Sequence, residues 1–171
     1  MSGTTDFASV ILEAYSSEAR LVELHHKLLA VRGSNWHRVF GICVLAELCR
    51  ERGQIEDGLT FLASVPAEDR EGFYAPEILR LEGELRRLLP SPAMGEIEQR
   101  FRAALALAHK RAAKSLELRA ACSLAGLWRD QDKHTEARDL IIPVYDWFTE
   151  GLDLPDLQRA RKLIDSLARP T

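Results

Sequence analysis

The residues whose types and spacing could do chemistry are few, and each group lacks a companion that the chemistry needs. His25 and His26 are adjacent, so on a helix their side chains point about 100° apart and do not readily share one metal ion. No HExxH pattern accompanies them, and they read as a solvated or half-buried pair. Glu47 and Glu51 lie one helical turn apart, the spacing of a paired-carboxylate acid/base site, but Arg50 stands between them. The expectation is an exposed charged stripe. Asp130 and Asp132 in "RDQD" lack the glycine and the distal glutamate of a calcium loop, which leaves turn chemistry. No serine sits in a GxSxG context and there is no GxxxxGK[ST] phosphate loop, so neither nucleophilic acyl transfer nor nucleotide binding has a motif to rest on. No catalytic residue, cofactor or metal is expected.

The cysteines and tryptophans point to packing. Cys43, Cys49 and Cys122 make an odd number with no CxxC spacing, each among apolar neighbours. They are expected as buried free thiols in a reducing compartment. Trp36, Trp128 and Trp147 are expected in the core. A chain of 171 residues, 46% hydrophobic and 29% charged, has the length and composition of one soluble globular domain. Its net charge of −3 provides no global basic field for nucleic acid. The segment Gln99–Arg138 is different, with nine Lys/Arg against four Asp/Glu, a local polarity that could steer an acidic partner. The N-terminal "MSGTTDFASVIL" has no basic residue before Arg20 and no stretch approaches a membrane span, so a cytoplasmic protein is expected.

What must position these residues is a set of helices, and the helices repeat. Leu118, Ala121, Ala125 and Trp128 fall on one face of a first helix, and Ala137, Leu140, Ile141 and Val144 on one face of a second; the polar turn around Asp132 separates them. Shifted back by 79 residues, the distance from Asp132 to Gly53, the pattern recurs in Val39, Ile42, Ala46 and Cys49, then Gly58, Phe61, Leu62 and Val65. A third copy lies midway, with Gly83 on its first helix and Ile97, Phe101 and Ala104 on its second. Small residues at Ala46, Gly83, Ala125, Gly58 and Ala137 allow close approach of helix axes.

The spacing predicts repeats over about 35–65, 75–113 and 115–150 within one domain, 1–171. A degenerate pair precedes them at 6–31, broken near Ser16 and Ser17. A capping helix follows at about 155–168, started by Pro155 after Gly151 stops its predecessor. Pro143 should kink the helix that holds it.

These residues resemble the tetratricopeptide family. In its pattern a first helix carries a small residue and, three positions on, an aromatic, roles that fall to Ala125 and Trp128; the second-helix roles fall to Ala137, Ile141 and Val144. In the middle copy Arg86 stands at the aromatic position, and the usual proline between repeats is missing. The resemblance implies an all-α fold, a right-handed superhelical array of antiparallel helix pairs (an α-solenoid) with a C-terminal capping helix. From Pro76 to Leu167, "ILRLEGELRRLL", "FRAALALAHKRAAKSLELRAACSLAGLWRDQ" and "EARDLIIPVYDWFTEGLDLPDLQRARKLI" are similar to the helical-repeat region that follows the ATPase in large bacterial signalling proteins, which join a nucleotide cyclase or a DNA-binding domain to a predicted ATPase. Asp132 stands where such turns usually carry glycine. That resemblance implies a sensor or interaction region and carries over no catalytic residue.

In such an array the first helices line the concave side. That face is expected to carry Phe40, Cys43, Glu47 and Arg50; then Glu77, Arg80, Glu84 and Arg87; then Arg119, Cys122, Ser123 and Arg129. Guanidinium forks suit carboxylates. The expected function is therefore a non-catalytic scaffold whose groove residues Glu47, Arg50, Arg80, Glu84, Arg87, Arg119 and Arg129 hold an acidic or extended protein segment. Self-association through the ends of the array is compatible with it. The alternative is a small-molecule sensing domain of a signalling or transcription regulator.

Overall fold

A computed structural model describes residues 6–16, 20–30 and 35–168. The described residues are all-α: nine helices in sequence, each packed on the next within its unit, and no strand. They fall into two compact units, residues 1–92 and 93–171.

Unit 1 holds α1 (Phe7–Ala14), α2 (Leu21–Ala30), α3 (Asn35–Glu51), α4 (Ile55–Ala63) and α5 (Ala75–Arg87). Here α3 packs on both neighbours and also on α1 and α5. The core is the predicted apolar stripe: Val39, Ile42, Ala46 and Cys49 from α3 meet Phe61, Leu62 and Val65, with Val10, Ala14, Leu21, Leu24 and Leu28 from α1 and α2. Close approach at Gly58 is real, because a Cβ there would sit 3.0 Å from the Leu85 methyls and 3.1 Å from Cys49 Cβ. Gly41, absent from the repeat pattern, is tighter still, with Leu28 Cδ2 at 2.7 Å. The degenerate pair is present as α1 and α2; Ser17 and Val31 lie outside the described residues.

Two arginines end helices that sequence periodicity alone would not end. The last carbonyls of a helix have no intrahelical donor. Arg52 donates to Ala14 O at 3.2 Å and Ser16 O at 2.8 Å, closing α1. Arg70 donates to Leu62 O and, at 3.3 Å, to Val65 O beyond α4, while also holding Glu82 at 2.9 Å. At the N-terminal end of α1, Asp6 accepts from the Ser9 amide at 3.0 Å, which lowers its carboxyl pKa.

Unit 2 holds α6 (Met94–Lys110), α7 (Lys114–Arg129), α8 (His134–Asp146) and α9 (Pro155–Leu167). Helix α7 packs on α6, α8 and α9, and α8 on α9. Ile97, Phe101, Leu118, Ala125, Trp128, Ala137 and Ile141 are buried together with Leu157, Ala160, Leu163 and Leu167 of the last helix. Pro155 opens α9 as expected. Gly151 does not stop α8, which already ends at Asp146, three residues after Pro143. A proline inside the helix removes one amide donor from the ladder, and Gly151 instead turns the connecting loop with φ of +66°.

The α3–α4, α6–α7 and α7–α8 turns share one geometry. A residue with positive φ (Gly53, +72°; Ala112, +52°; Asp132, +60°) follows the first helix. The next amide then reaches back five residues, Gln54 to Cys49 O at 2.8 Å, Ala113 to Ala108 O at 3.0 Å and Lys133 to Trp128 O at 2.9 Å, a Schellman closure. The correspondence of Gly53 with Asp132 is therefore structural as well as sequential. Alanine in this region of backbone space is strained, because its Cβ crowds the following carbonyl. Ala112 is exposed, so Ala112→Gly removes strain without loss of packing. It is expected to stabilise the protein by about 1 kcal/mol, a Tm rise of about 2–4 °C in a thermal melt, and Gly53→Ala to lower it by a similar amount.

Candidate functional site

The first-helix face of unit 1 brings four of the expected groove residues, Glu47, Arg50, Arg80 and Glu84, into one network with Glu77. The Arg80 guanidinium donates to both carboxylate oxygens of Glu77, at 3.0 and 2.8 Å, and to Glu47 Oε2 at 2.9 Å across the α3–α5 contact. Glu47 Oε1 accepts from Arg50 at 2.8 Å, and Glu84 Oε1 stands 4.0 Å from Arg80. Arg80 and Glu77 are each 3% exposed. Arg80 is therefore not a solvated arginine waiting for a ligand, because its fork is occupied and buried. Glu47 is likewise no exposed stripe: burial pushes its carboxyl up, but Arg80 and Arg50 outweigh that and hold it down at about 2. Glu51 alone remains exposed, with Arg50 at 3.9 Å. Arg87 is half-buried at the last turn of α5.

On unit 2 the first-helix face belongs to α7. Arg119 lies 3.9 Å from Asp156 of α9, and Arg129 donates to the neighbouring Asp130 at 2.9 and 3.0 Å. Both side chains keep solvent access, 26% and 40% exposed. Cys122 is half-buried beside them. The charge divides with the units, ten Lys/Arg against fourteen Asp/Glu in residues 1–92 and thirteen against twelve in residues 93–171.

Serine and histidine do meet, in a pair that the linear sequence hides because its members are 39 residues apart. His25 Nε2 lies 2.9 Å from Ser64 Oγ, and Ser64 Oγ donates its proton to Phe61 O at 2.7 Å. The imidazole must then be the donor to Oγ, which is the reverse of what a base activating a serine nucleophile requires. His25 is 5% exposed and stacks on Phe61 at 4.3 Å, so of the adjacent histidines one is buried and only His26 is solvated.

Burial, then the neighbouring His26 charge, lowers the pKa of His25 below 6.5. A depressed histidine pKa means that the folded state prefers the neutral ring. The stability it contributes is complete above pH 6.5 and is lost as pH falls through that value towards the folded pKa. Thermal melts of wild type and His25→Phe are expected to diverge with pH, the wild type losing more Tm between pH 7 and pH 5.

No family model, curated protein or solved structure matches this chain.

The remaining candidates resolve into structure. Cys43 and Cys49 are buried thiols outside any disulfide, and burial, reinforced by Asp57, pushes the Cys49 thiol up to about 12, far from a reactive thiolate. Asp130 and Asp132 lie in the α7–α8 turn, as expected. Among the described residues, no three His, Cys, Asp or Glu side chains are placed to hold a metal ion. None of the described helices is long and apolar enough to cross a membrane. An open groove in unit 1, lined by Gln54, Glu56, Asp57, Leu88 and Pro90 among others, shares no residue with the first-helix face.

Of the tryptophans only Trp128 is in the core. Trp36 and Trp147 are 54% and 58% exposed, contrary to expectation. Each lies at a helix end, where the neighbouring helix no longer covers it: Trp36 stacks on His37 at 3.7 Å, and Trp147 meets Phe148 edge-on at 5.1 Å. Their exposure is missed by periodicity because it depends on where the next helix begins.

Proposed function

We propose that this protein is a non-catalytic interaction module of tetratricopeptide-like design, in which first-helix faces receive an extended segment of a protein partner. The observation that carries this reading is the packing order. In unit 1 the first helices α1, α3 and α5 contact one another in succession, and in unit 2 α7 contacts α9, as well as each contacting its second-helix neighbours. Helix pairs such as α3–α4 and α7–α8, closed by the same turn, with first helices in contact, are the construction of helical-repeat scaffolds. Such first helices present polar side chains at helical spacing to a groove. On α7 the groove residues are Arg119 and Arg129, forks of the type that bind carboxylates.

The test compares wild type with a folded Arg119→Glu/Arg129→Glu variant in capture from native lysate, followed by titration of the captured partner's mapped segment. Saturable binding that the double variant loses supports the reading. Capture that is absent, or identical for both proteins together with ligand-induced melting shifts from small molecules, overturns it in favour of a sensing domain.

A further inference from the structure

An imidazole held by a buried carboxylate stands at the α6–α7 turn of unit 2. His109 is in the last turn of α6 and Glu117 in the first turn of α7. The closed turn between them, with Ala112 at φ +52° and the Ala113 amide on Ala108 O, folds one back onto the other. His109 Nδ1 lies 2.8 Å from Glu117 Oε1, and Lys114 Nζ donates to Glu117 Oε2, also at 2.8 Å. The two partners differ sharply in burial: 5% of the Glu117 side chain is exposed, against 72% of the His109 side chain.

This arrangement fixes the imidazole's lone pair. Burial would raise the Glu117 carboxyl, but Lys114 and His109 outweigh it and keep the group ionised. An ionised carboxylate only accepts, so the neutral His109 ring carries its proton on Nδ1 and leaves Nε2 unprotonated. Nε2 makes no hydrogen bond among the described residues. A solvated imidazole instead divides its proton between both nitrogens, and His26 is that reference within the same chain: it is exposed and makes no hydrogen bond among the described residues. A reaction at His109 Nε2 puts positive charge on the ring opposite Glu117, a stabilisation that His26 lacks. Of the groups that imidazole accepts, an acyl group is soon lost to water, whereas a phosphoryl group persists. The next two residues, Lys110 and Arg111, are cations, which suits an anionic donor.

We propose that His109 is a phosphoryl-acceptor site, with Nε2 taking the group and Glu117 acting as its positioning residue. The donor is a small anionic molecule whose phosphorus carries a readily displaced group. The Nε2 lone pair forms the bond to phosphorus as the bond from phosphorus to the leaving group breaks, and that bond's electron pair departs with the leaving group. Nδ1 keeps its proton, and the positive charge gained by the ring is met by the Glu117 carboxylate. The site is independent of the interaction-module reading and gives the chain a place where charge is added covalently.

Phosphoramidate, from which ammonia is the leaving group, is the probe. The full chain is treated with it at pH 8, and initial rates at His109 and His26 are read by peptide mass spectrometry under neutral conditions, because phosphohistidine is acid-labile. His109 is expected to react about tenfold faster than His26, less than an enclosed site would give because solvent screens the pair. Glu117→Ala should bring the two rates together. Glu117→Gln, which offers Nδ1–H a carbonyl but no charge, should give an intermediate ratio. The rate at His26 reports any general change in the protein or reagent, and far-UV circular dichroism melts identify folded variants; Glu117→Gln carries the test if Glu117→Ala does not fold. Equal rates in the wild type, a ratio that both Glu117 substitutions leave unchanged, or modification of Lys110 or Lys114 in place of His109 overturns the proposal.

Discussion

Alanine in place of Arg80 is expected to destabilise the protein by about 3–5 kcal/mol, the cost of stranding buried charge. The residue is 3% exposed, and its removal takes the Arg80 donors from both oxygens of the equally buried Glu77 and from one oxygen of Glu47. Of the two carboxylates Glu77 is the more deeply buried, its side chain 4% exposed against 15% for Glu47. Urea unfolding followed by far-UV circular dichroism checks the magnitude, and a cost below about 1 kcal/mol would mean that the pairs behave as solvated surface bridges. Replacing the buried members together, Glu47→Leu/Glu77→Leu/Arg80→Met, is expected to be far milder, because the network's attraction mainly offsets its own desolvation.

The same network sets acid sensitivity. Glu47 titrates at about 2 in the fold against 4.5 as its ordinary value. Its contribution is therefore present above pH 4.5 and lost as pH falls from there towards 2. In Arg80→Ala that loss should begin at higher pH, because burial still opposes the charge while its largest counterweight is gone.

The second large effect is expected at Trp128 in unit 2. Its ring is 9% exposed, its Nε1 donates to Glu98 at 3.1 Å, and the Arg102 guanidinium sits 4.9 Å from the ring centre while bonding the same carboxylate at 2.8 Å. Trp128→Ala removes the packing, the hydrogen bond and the cation–π contact, for about 3–5 kcal/mol. Trp128→Phe keeps most of the packing and should cost only about 1–2 kcal/mol. Thermal unfolding separates the two; equal costs would show that the Glu98 bond, and not the filled volume, holds the ring. The carboxyl of Glu98, which burial would raise, is lowered by Arg102 and Trp128. Either substitution should therefore move its titration towards 4.5.

Trp128 also shows how far a sequence pattern reaches. Its place three residues after the small Ala125 was legible, and both are in the core. Arg80 and Glu84 were equally legible as members of one helix face, yet the structure separates them into a buried cation bonded to Glu47 and Glu77 and a half-buried carboxylate that makes no hydrogen bond among the described residues. The difference is that burial of Trp128 follows from its own helix's periodicity, whereas the fate of Arg80 depends on Glu47, 33 residues away on another helix.

What the amino-acid sequence determined by itself is the set of helices, their buried stripes and the polar turns that end them. A 3.6-residue period, small residues at contacts and turn-forming residues act within a few positions of one another. Tertiary structure alone decided which charges meet, that His25 donates to Ser64, and that Trp36 and Trp147 lie outside the core. Those outcomes depend on the register and ends of neighbouring helices, which no local spacing encodes, and on the cost of burying a charge, which selects the partner once the helices have met.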